Sequence, residues 1–548
     1  MERKSLPIGV SDFRKVIENG HYYVDKSKMI EDLFSEGAEV VLLTRPRRFG
    51  KTLNMSMLKY FFDIGSAKEN RKLFEGLYIS QNRYMEEQGK YPVIYISFRN
   101  LEAEDWESCM MDVKEQISSL YDEFSFIRRK LNERQLKYFD KIWMEEDEAA
   151  WKSSLKNLSR YLYEYYGKKV IVLIDEYDTP LTEALKRGYY DRAVMFFKGL
   201  YSDVLKDNVY LKKGIMTGIL RVMKEGIFSG LNNLKVCTIL DKEYSEIFGL
   251  TEREVLEGLS YYGLEDRVSE VREWYNGYMF GKNPMYNPWS IVNFLSSEEL
   301  KAYWVNTGDE TLINSLIEES DGDMFEELKK VFNNGVTEQI IDEYSNVGDL
   351  KNPKEVWQLM LFSGYLTVDG EGDGDIFKLR LPNYEVKTFF QKHFINYNFR
   401  GRSDFMQMIR SLESGEMEEY ERYLQKLVVS YMSYHDGSRQ EEKVYHNLML
   451  GMVLYLDRDY VIYSNRESGY GRSDLRLEPK KKGRKKGYVM EFKISPDESG
   501  LERKAEEALA QIREKRYAEE FRKRGIVEVV LLGIAFSGKN VKVKYEYL

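Results

Sequence analysis

The chain has 548 residues, of which 43% are hydrophobic and 32% charged, and its net charge is −9. This length exceeds what one hydrophobic core covers, so we expect about two to four globular domains. Two cysteines and four scattered histidines exclude a disulfide framework and a cysteine zinc site, which leaves oxygen ligands for any catalytic metal. No stretch approaches the roughly 18 to 20 apolar residues that span a bilayer, and the start of the chain lacks the apolar core of a signal peptide, so we expect a cytoplasmic protein without membrane contact.

The first informative stretch is a phosphate-loop pattern. The apolar run 39–44 predicts a strand, and Arg45–Thr52, which reads Arg-Pro-Arg-Arg-Phe-Gly-Lys-Thr, opens a helical pattern. In such loops backbone N–H groups cradle phosphate oxygens, the lysine reaches the terminal phosphates and the hydroxyl holds Mg²⁺. Arg45 stands where the usual pattern has its first glycine. We predict nucleotide contacts from Arg45, Arg47, Arg48, Phe49, Gly50, Lys51 and Thr52.

A second motif follows a buried strand later in the chain. Within residues 168–178, the apolar run 170–174 leads into Asp175 and Glu176. At a strand tip, Asp175 would complete the Mg²⁺ shell and Glu176 would polarise the attacking water. Together the two motifs favour nucleotide binding over the alternative, in which Arg45–Thr52 is only a basic turn between a strand and a helix.

Further apolar runs alternate with helical patterns in the first 240 residues. We predict strands at 92–98, 210–218 and 236–239, and this alternation predicts a parallel α/β sheet. Thr217 resembles the polar residue on the sensor strand of P-loop ATPases. Arg221 follows where a cation could meet transition-state charge, although a surface or helix-capping arginine is the slightly favoured alternative.

The middle of the chain, residues 241–430, is predicted to be mostly helical. Within it, 362–368 and 379–383 predict two short strands joined by a glycine-rich acidic loop, as in the wing of a winged-helix fold. A wing that touches DNA is expected to carry Lys or Arg, whereas this loop carries Asp and Glu. We therefore favour a structural or interdomain role for it.

The C-terminal part carries a second candidate site. Two predicted strands flank the basic run 480–486, so Asp474 and Glu491 can lie side by side, and Glu491 and Lys493 share a face because they are two residues apart. Such a set suits a Mg²⁺-dependent phosphodiester hydrolase, in which carboxylates hold the metal and the lysine orients water or stabilises phosphorane charge. Taken alone, Glu-x-Lys is equally typical of a solvated strand face.

The charge distribution indicates the partner of this part. From residue 439 onward there are 24 Lys and Arg against 18 Asp and Glu, a net charge of +6 on an otherwise acidic chain. A basic domain predicts a nucleic-acid partner, and we favour DNA over RNA. The run 480–486 is either a phosphate-contacting loop or a solvated turn, and the pattern leaves both open.

Several stretches resemble one known family. Arg45–Thr52, Leu173–Asp178 and the segments 6–13, 23–26 and 228–232 are similar to bacterial AAA-ATPase-like proteins that carry a PD-(D/E)XK nuclease superfamily domain at the C-terminus. The Arg-Pro-Arg-Arg-Phe-Gly-Lys-Thr loop is the usual form in that family, so the missing first glycine agrees with the resemblance.

The resemblance extends to single residues of the C-terminal domain. It implies that Glu442, on a helix before the two strands, completes the metal shell, with its neighbour Glu441 as the rival by register. Gln511 and Tyr517 resemble a glutamine motif that is found in some relatives.

The combined prediction is an α/β protein with three parts. These are a P-loop AAA-like ATPase domain at 1–240, a helical, winged-helix-like lid region at 241–430 and a restriction-endonuclease-like domain at 431–548. The protein would bind and hydrolyse ATP and cut nucleic acid with Mg²⁺. The alternatives are a nucleotide-dependent switch or scaffold that binds DNA or a protein partner without cutting and, less favoured, a protein-remodelling ATPase. Whether the chain forms a homo-oligomer stays open, and this decides if Arg221 acts in its own copy or in a neighbour.

Overall fold

The computed structural model divides the chain into two compact units. The first comprises Met1–Gly308 and Glu338–Glu385, and the second comprises Asp309–Thr337 and Val386–Leu548. The predicted domain bounds at residues 240 and 430 stay a prediction. The structure describes residues 3–146, 151–220, 233–304, 327–328, 330–332, 335–342, 353–399, 402–434, 451, 455–456, 459–468, 471–480, 486–514, 521, 526 and 528–548.

A five-stranded parallel sheet forms the centre of the first unit. Its strands, in the spatial order β2-β3-β4-β1-β5, are β1 Val40–Thr44, β2 Val93–Ser97, β3 Val170–Asp175, β4 Leu211–Gly218 and β5 Leu234–Cys237. β1 and β3 are buried along their whole length, which explains their uninterrupted apolar runs. The register pairs Leu43 with Thr217 and Ser97 with Asp175, so the carboxyl ends of four strands meet at one edge of the sheet.

Helices of the first unit begin at recognisable local signals. A capping box of Asn132 and Gln135 starts α6, and another of Thr251 and Glu254 starts α10. The helices are α1 Phe13–Glu18, α2 Lys28–Ser35, α3 Lys51–Phe62, α4 Ala67–Arg71, α5 Trp106–Glu123, α6 Glu133–Trp143, α7 Ser154–Tyr166, α8 Thr179–Arg187, α9 Tyr190–Leu205, α10 Glu252–Tyr262, α11 Val268–Tyr275, α12 Pro288–Ser297 and α13 Pro353–Ser363. Short 3₁₀ helices lie at Lys72–Phe74, Tyr78–Gln81, Arg83–Glu87, Ser125–Lys130, Trp151–Ser153 and Glu265–Arg267.

Two small three-stranded sheets follow the parallel sheet in the chain. The first contains β6 Leu250–Thr251, β7 Tyr278–Phe280 and β8 Asn283–Tyr286 in the order β6-β8-β7. The second contains β9 Thr337–Ile340, β10 Thr367–Val368 and β11 Ile376–Arg380 in the order β10-β11-β9. The strands β10 and β11 pair antiparallel around the acidic loop, where we predicted a wing. The first of them is shorter than predicted because the apolar run before it continues helix α13 to Ser363.

The second unit contains a mixed five-stranded sheet. Its strands run in chain order and only β14 and β15 are parallel: β12 Tyr460–Ser468, β13 Gly471–Pro479, β14 Gly487–Ile494, β15 Val529–Ser537 and β16 Asn540–Tyr547. The helices are α14 Tyr384–Phe399, whose first two residues belong to the first unit, α15 Arg402–Ser414, α16 Met417–Tyr434 and α17 Leu501–Glu514, with a 3₁₀ turn at Glu498–Gly500. Helix α17 lies so close to the sheet that a Cβ on Gly533 would collide with the carbonyl oxygen of Ala505.

The predicted fold class is confirmed. A parallel sheet, a helical middle region and a C-terminal mixed sheet with helices occur in the predicted order. The predicted strand positions of the parallel sheet hold to within about two residues, as expected for boundaries. In the part of the chain that the structure describes, no helix is long and apolar enough to cross a membrane.

Candidate functional sites

The phosphate-loop sequence connects the end of β1 to the start of α3. Gly50 has a φ of +84° and is the N-cap of α3, so Lys51 is the first residue of the helix. Glycine suits this left-handed position because it has no Cβ. N–H groups and the dipole at a helix start form an anion site. Arg48 also has a positive φ of +66°, a strained backbone that the surrounding structure must hold in place.

Lys51 is turned back onto its own loop. Its side chain is buried, and Nζ donates to the carbonyl oxygens of Arg45 and Pro46, each at 2.9 Å. Burial lowers the pKa of Lys51, while the carboxylates that follow β3 act in the opposite direction. An ammonium that donates to two neutral carbonyls can exchange them for phosphate oxygens, which make stronger charge-assisted bonds.

Asp175 lies at the same edge of the sheet, at the end of β3. It is fully buried; Oδ1 accepts a hydrogen bond from the Thr217 hydroxyl at 2.5 Å and Oδ2 accepts one from Ser97 at 3.4 Å. The structure therefore brings Asp175 and Thr217 together. Thr52, the second residue of α3, is half-buried and carries the other oxygen that we predict as a Mg²⁺ ligand.

Two more carboxyl groups follow Asp175. Glu176 has a φ of +54°, and burial raises its pKa. A raised pKa at a strained residue beside a lysine is typical of a group that takes a proton during catalysis. Asp178 is buried and accepts the N–H groups of Ile219 and Leu220, each at 2.8 Å, so it holds the chain where it leaves β4.

Arg45 has surroundings that differ from the predicted phosphate contact. Its guanidinium is fully buried and donates to the carbonyl oxygens of Thr44 at 2.7 Å, Thr238 at 2.8 Å and Tyr244 at 3.0 Å. Burial lowers the pKa of Arg45 to about 10. The side chain donates to backbone carbonyls beneath the loop and so supports the loop, and a phosphate contact by Arg45 stays a prediction.

The other loop side chains differ in how deeply they are buried. Phe49 is buried between Tyr278 and Phe280, with ring centroids 5.0 Å away in both cases. Arg48 is half-buried with its guanidinium 4.5 Å from the ring of Trp289, and Arg47 is exposed. Phe49 therefore anchors the loop, and nucleotide contacts by Phe49, Arg47 and Arg48 stay predictions.

Sequence reasoning missed one cation at this edge. Arg99 is exposed just beyond β2, and its charge acts on both Glu176 and Arg48. Its position after the strand predicted at 92–98 was the available signal, because carboxyl ends of parallel strands share an edge. Arg221 lies outside the described residues.

The second candidate site lies in the second unit, where one glutamine links two predicted residues. Gln511 on α17 donates through Nε2 to Glu491 and accepts a hydrogen bond from Lys493 Nζ at 2.9 Å. Glu491 is buried and Lys493 half-buried. The structure thus brings Glu491 and Lys493 together on the side of β14 that faces α17.

The remaining predicted nuclease residues are only partly placed. Asp474 lies in β13 next to Leu475, which pairs with Met490, the neighbour of Glu491. Glu442, its rival Glu441, Tyr517 and residues 481–485 lie outside the described residues. Within the described ranges, no three His, Cys, Asp or Glu side chains form a metal-binding group, and the predicted ligand set extends beyond those ranges.

A phosphate loop at the carboxyl edge of a parallel sheet, and a separate mixed sheet with a Glu-x-Lys strand, define a P-loop unit and a nuclease-like unit. Residues 7–228 match the family model described as "Predicted AAA-ATPase". Residues 440–546 match the model of the PD-(D/E)XK nuclease superfamily. The two matches agree with the layout that the motifs predicted, an AAA-ATPase-like domain followed by a PD-(D/E)XK nuclease superfamily domain.

One curated relative aligns along nearly the whole chain. It is a protein of Azotobacter chroococcum mcd 1 with the description "Uncharacterized protein in vnfD 5'region", 28% identical over 559 aligned positions. The alignment covers 98% of this chain and 97% of the relative, so the similarity extends over both matched regions of this chain.

Proposed function

We propose that the protein binds and hydrolyses ATP with Mg²⁺ at the edge of its parallel sheet, and that it cuts nucleic acid, DNA in preference to RNA, in its second unit. The observation that carries the nuclease assignment is the hydrogen-bonded link from Glu491 through Gln511 to Lys493. The ATPase assignment is supported by the buried Lys51, whose ammonium interacts electrostatically with the carboxylates at the end of β3.

The ATP site assigns one task to each group. Lys51 would leave the two loop carbonyls and bind terminal phosphate oxygens. Thr52 and Asp175 would hold Mg²⁺, which supplies charge neutralisation at the phosphates when bound. Glu176 would accept a proton from the attacking water, and Arg99 lies where it could offset charge that develops on the transferred group.

In the nuclease site, too, each residue would have a separate role. Glu491, Asp474 and Glu442 would be the oxygen ligands of Mg²⁺, which supplies an activated water when bound. Lys493 would orient that water or stabilise negative charge on the phosphate. Gln511 holds Glu491 and Lys493 at a fixed separation, and the basic character of this part of the chain would attract the nucleic-acid backbone.

The test is cleavage of labelled single- and double-stranded DNA and RNA with Mg²⁺ or Mn²⁺, with and without ATP. We expect cleavage of DNA by the wild type and none by Lys493→Ala. Lys539→Ala is the matched control, because it removes an exposed lysine from the turn before β16.

The same assay decides between the proposal and its rivals. Loss of cleavage in Lys493→Ala alone supports the nuclease. Nucleotide binding by the wild type without cleavage under any condition would favour the switch or scaffold. Equal cleavage with and without ATP, and in Lys51→Ala, would show that cleavage does not depend on nucleotide.

A further inference from the structure

Two residues outside the phosphate loop donate hydrogen bonds to one carbonyl oxygen of the loop. The oxygen of Arg47 accepts the indole N–H of Trp304 at 3.0 Å and the side-chain amide of Asn287 at 3.4 Å. Trp304 is 3% exposed, so this contact is shielded from water. More than two hundred residues separate Arg47 from each donor along the chain.

This contact determines where the next N–H points. In a trans peptide the C=O of one residue and the N–H of the following residue point in opposite directions. Donors that fix the oxygen of Arg47 therefore also turn the N–H of Arg48 to the other side of the peptide. A phosphate loop binds through such N–H groups, and the positive φ of Arg48 shows that this peptide does not take its orientation from local preference.

A buried carboxylate positions both donors. Glu385 is fully buried; one of its oxygens accepts the backbone N–H of Trp304 at 2.8 Å and the other accepts the hydroxyl of Ser290 at 2.7 Å. Ser290 lies in the first turn of α12, whose N-cap is Asn287. The carboxylate thus connects the residue that carries the indole donor with the helix start that carries the amide donor.

Ring packing fixes the indole of Trp304 in this place. Tyr365 lies 5.3 Å and Tyr278 lies 6.2 Å from it, measured between ring centroids. On the same side, a Cβ on Gly364 would lie 2.9 Å from Cβ of Pro46 in the loop. The loop is therefore in close contact with the segment that supplies Tyr365.

We propose that Trp304 and Glu385 are positioning residues for nucleotide binding, which hold the Arg47–Arg48 peptide so that its N–H faces the terminal phosphates. The proposal rests on ATP binding at the loop, as proposed above. Neither residue needs to touch the nucleotide, because they act through the carbonyl oxygen of Arg47.

The test measures the Kd of the full chain for a methylanthraniloyl derivative of ATP in the presence of Mg²⁺. The methylanthraniloyl group is excited directly. Trp304→Phe removes the N–H donor and keeps a ring, and we expect the Kd to rise about 3- to 10-fold, the usual effect of one hydrogen bond. Trp143→Phe is the matched control, because its indole donates to Asp122 at 3.1 Å on the surface, and its Kd should equal that of the wild type.

Conservative rescue separates positioning from general stability. Glu385→Gln keeps an oxygen that can accept the N–H of Trp304, whereas Glu385→Ala keeps none, so the Kd of the alanine variant should exceed that of the glutamine variant about 3-fold or more. If Trp304→Phe does not fold, as judged by circular dichroism at the assay temperature, the comparison of the two Glu385 variants still tests the positioning role.

The outcomes distinguish the two proposals. Wild-type affinity in Trp304→Phe, or equal wild-type affinity in both Glu385 variants, would overturn the positioning role and leave ATP binding intact as long as Lys51→Ala binds more weakly. No nucleotide binding by the wild type would overturn ATP binding and the positioning role together.

Discussion

The buried carboxyl group of Glu385 makes the stability of the first unit depend on pH. Burial raises the pKa of Glu385 to about 7 from its ordinary value of 4.5, although hydrogen bonds from Trp304 and Ser290 favour the charged form. Between these two values the folded protein binds a proton that the unfolded chain has released. The contribution of this group to stability is therefore fully present below pH 4.5 and is lost as the pH rises through about 7.

The size of this effect follows from the two pKa values. Each unit of pKa difference corresponds to about 1.4 kcal/mol. Linkage then gives a loss of about 2 to 3 kcal/mol in the free energy of unfolding between about pH 5 and about pH 8. Glu385→Gln carries no titratable group, so its free energy of unfolding relative to the wild type should rise by that amount over the same interval.

Urea unfolding followed by tryptophan fluorescence measures this difference. All seven tryptophans lie in the first unit, so the signal reports that unit and not the second. Glu102→Gln is the control, since Glu102 is exposed, and its difference from the wild type should be the same at both pH values. An equally constant difference for Glu385→Gln would refute the reasoning and show that Glu385 is ionised throughout.

Three further predictions concern the two sites and the loop. Thr217→Val removes the hydroxyl that donates to the buried carboxylate at the end of β3, and we expect ATP hydrolysis to fall about 10-fold or more while the Kd for ATP changes less, as measured by phosphate release and nucleotide titration. Gln511→Ala releases both side chains that it links, so the cleavage rate should drop about 10- to 100-fold; an unchanged rate would mean that the link has no part in catalysis. Gly364→Ala places a Cβ against Pro46 at a φ of +89° and should destabilise the first unit by about 1 to 3 kcal/mol in urea unfolding, whereas Gly37→Ala, in open space, should not.

Local patterns were sufficient to locate the catalytic candidates. Lys51, Thr52 and Asp175 follow from a strand, a turn and a helix start that are adjacent in the chain, because the phosphate site is built from consecutive backbone groups. Glu491 and Lys493 follow from the two-residue period of a strand. Gln511 was indicated by the family resemblance, and its contacts with both residues required the packing of α17 against β14.

Other roles could not be read from local patterns. Arg45 looked like a phosphate ligand because it is a cation in a phosphate loop, but its guanidinium also donates to the carbonyl oxygens of Thr238 and Tyr244, about two hundred positions later. Arg99 is one exposed arginine among many until the strand order places it beside Glu176.

The sequence by itself determined the elements, the two domain types and the motif residues, because hydrophobic period, glycine placement and motif spacing are properties of neighbouring residues. The tertiary structure alone decided the strand order β2-β3-β4-β1-β5, the burial of Arg45 and the connection from Glu385 through Trp304 to the phosphate loop. These depend on which distant surfaces pack together. A buried carboxylate or carbonyl accepts hydrogen bonds from whichever donor the fold brings within reach. The position of that donor in the chain cannot be predicted from the residues next to the acceptor.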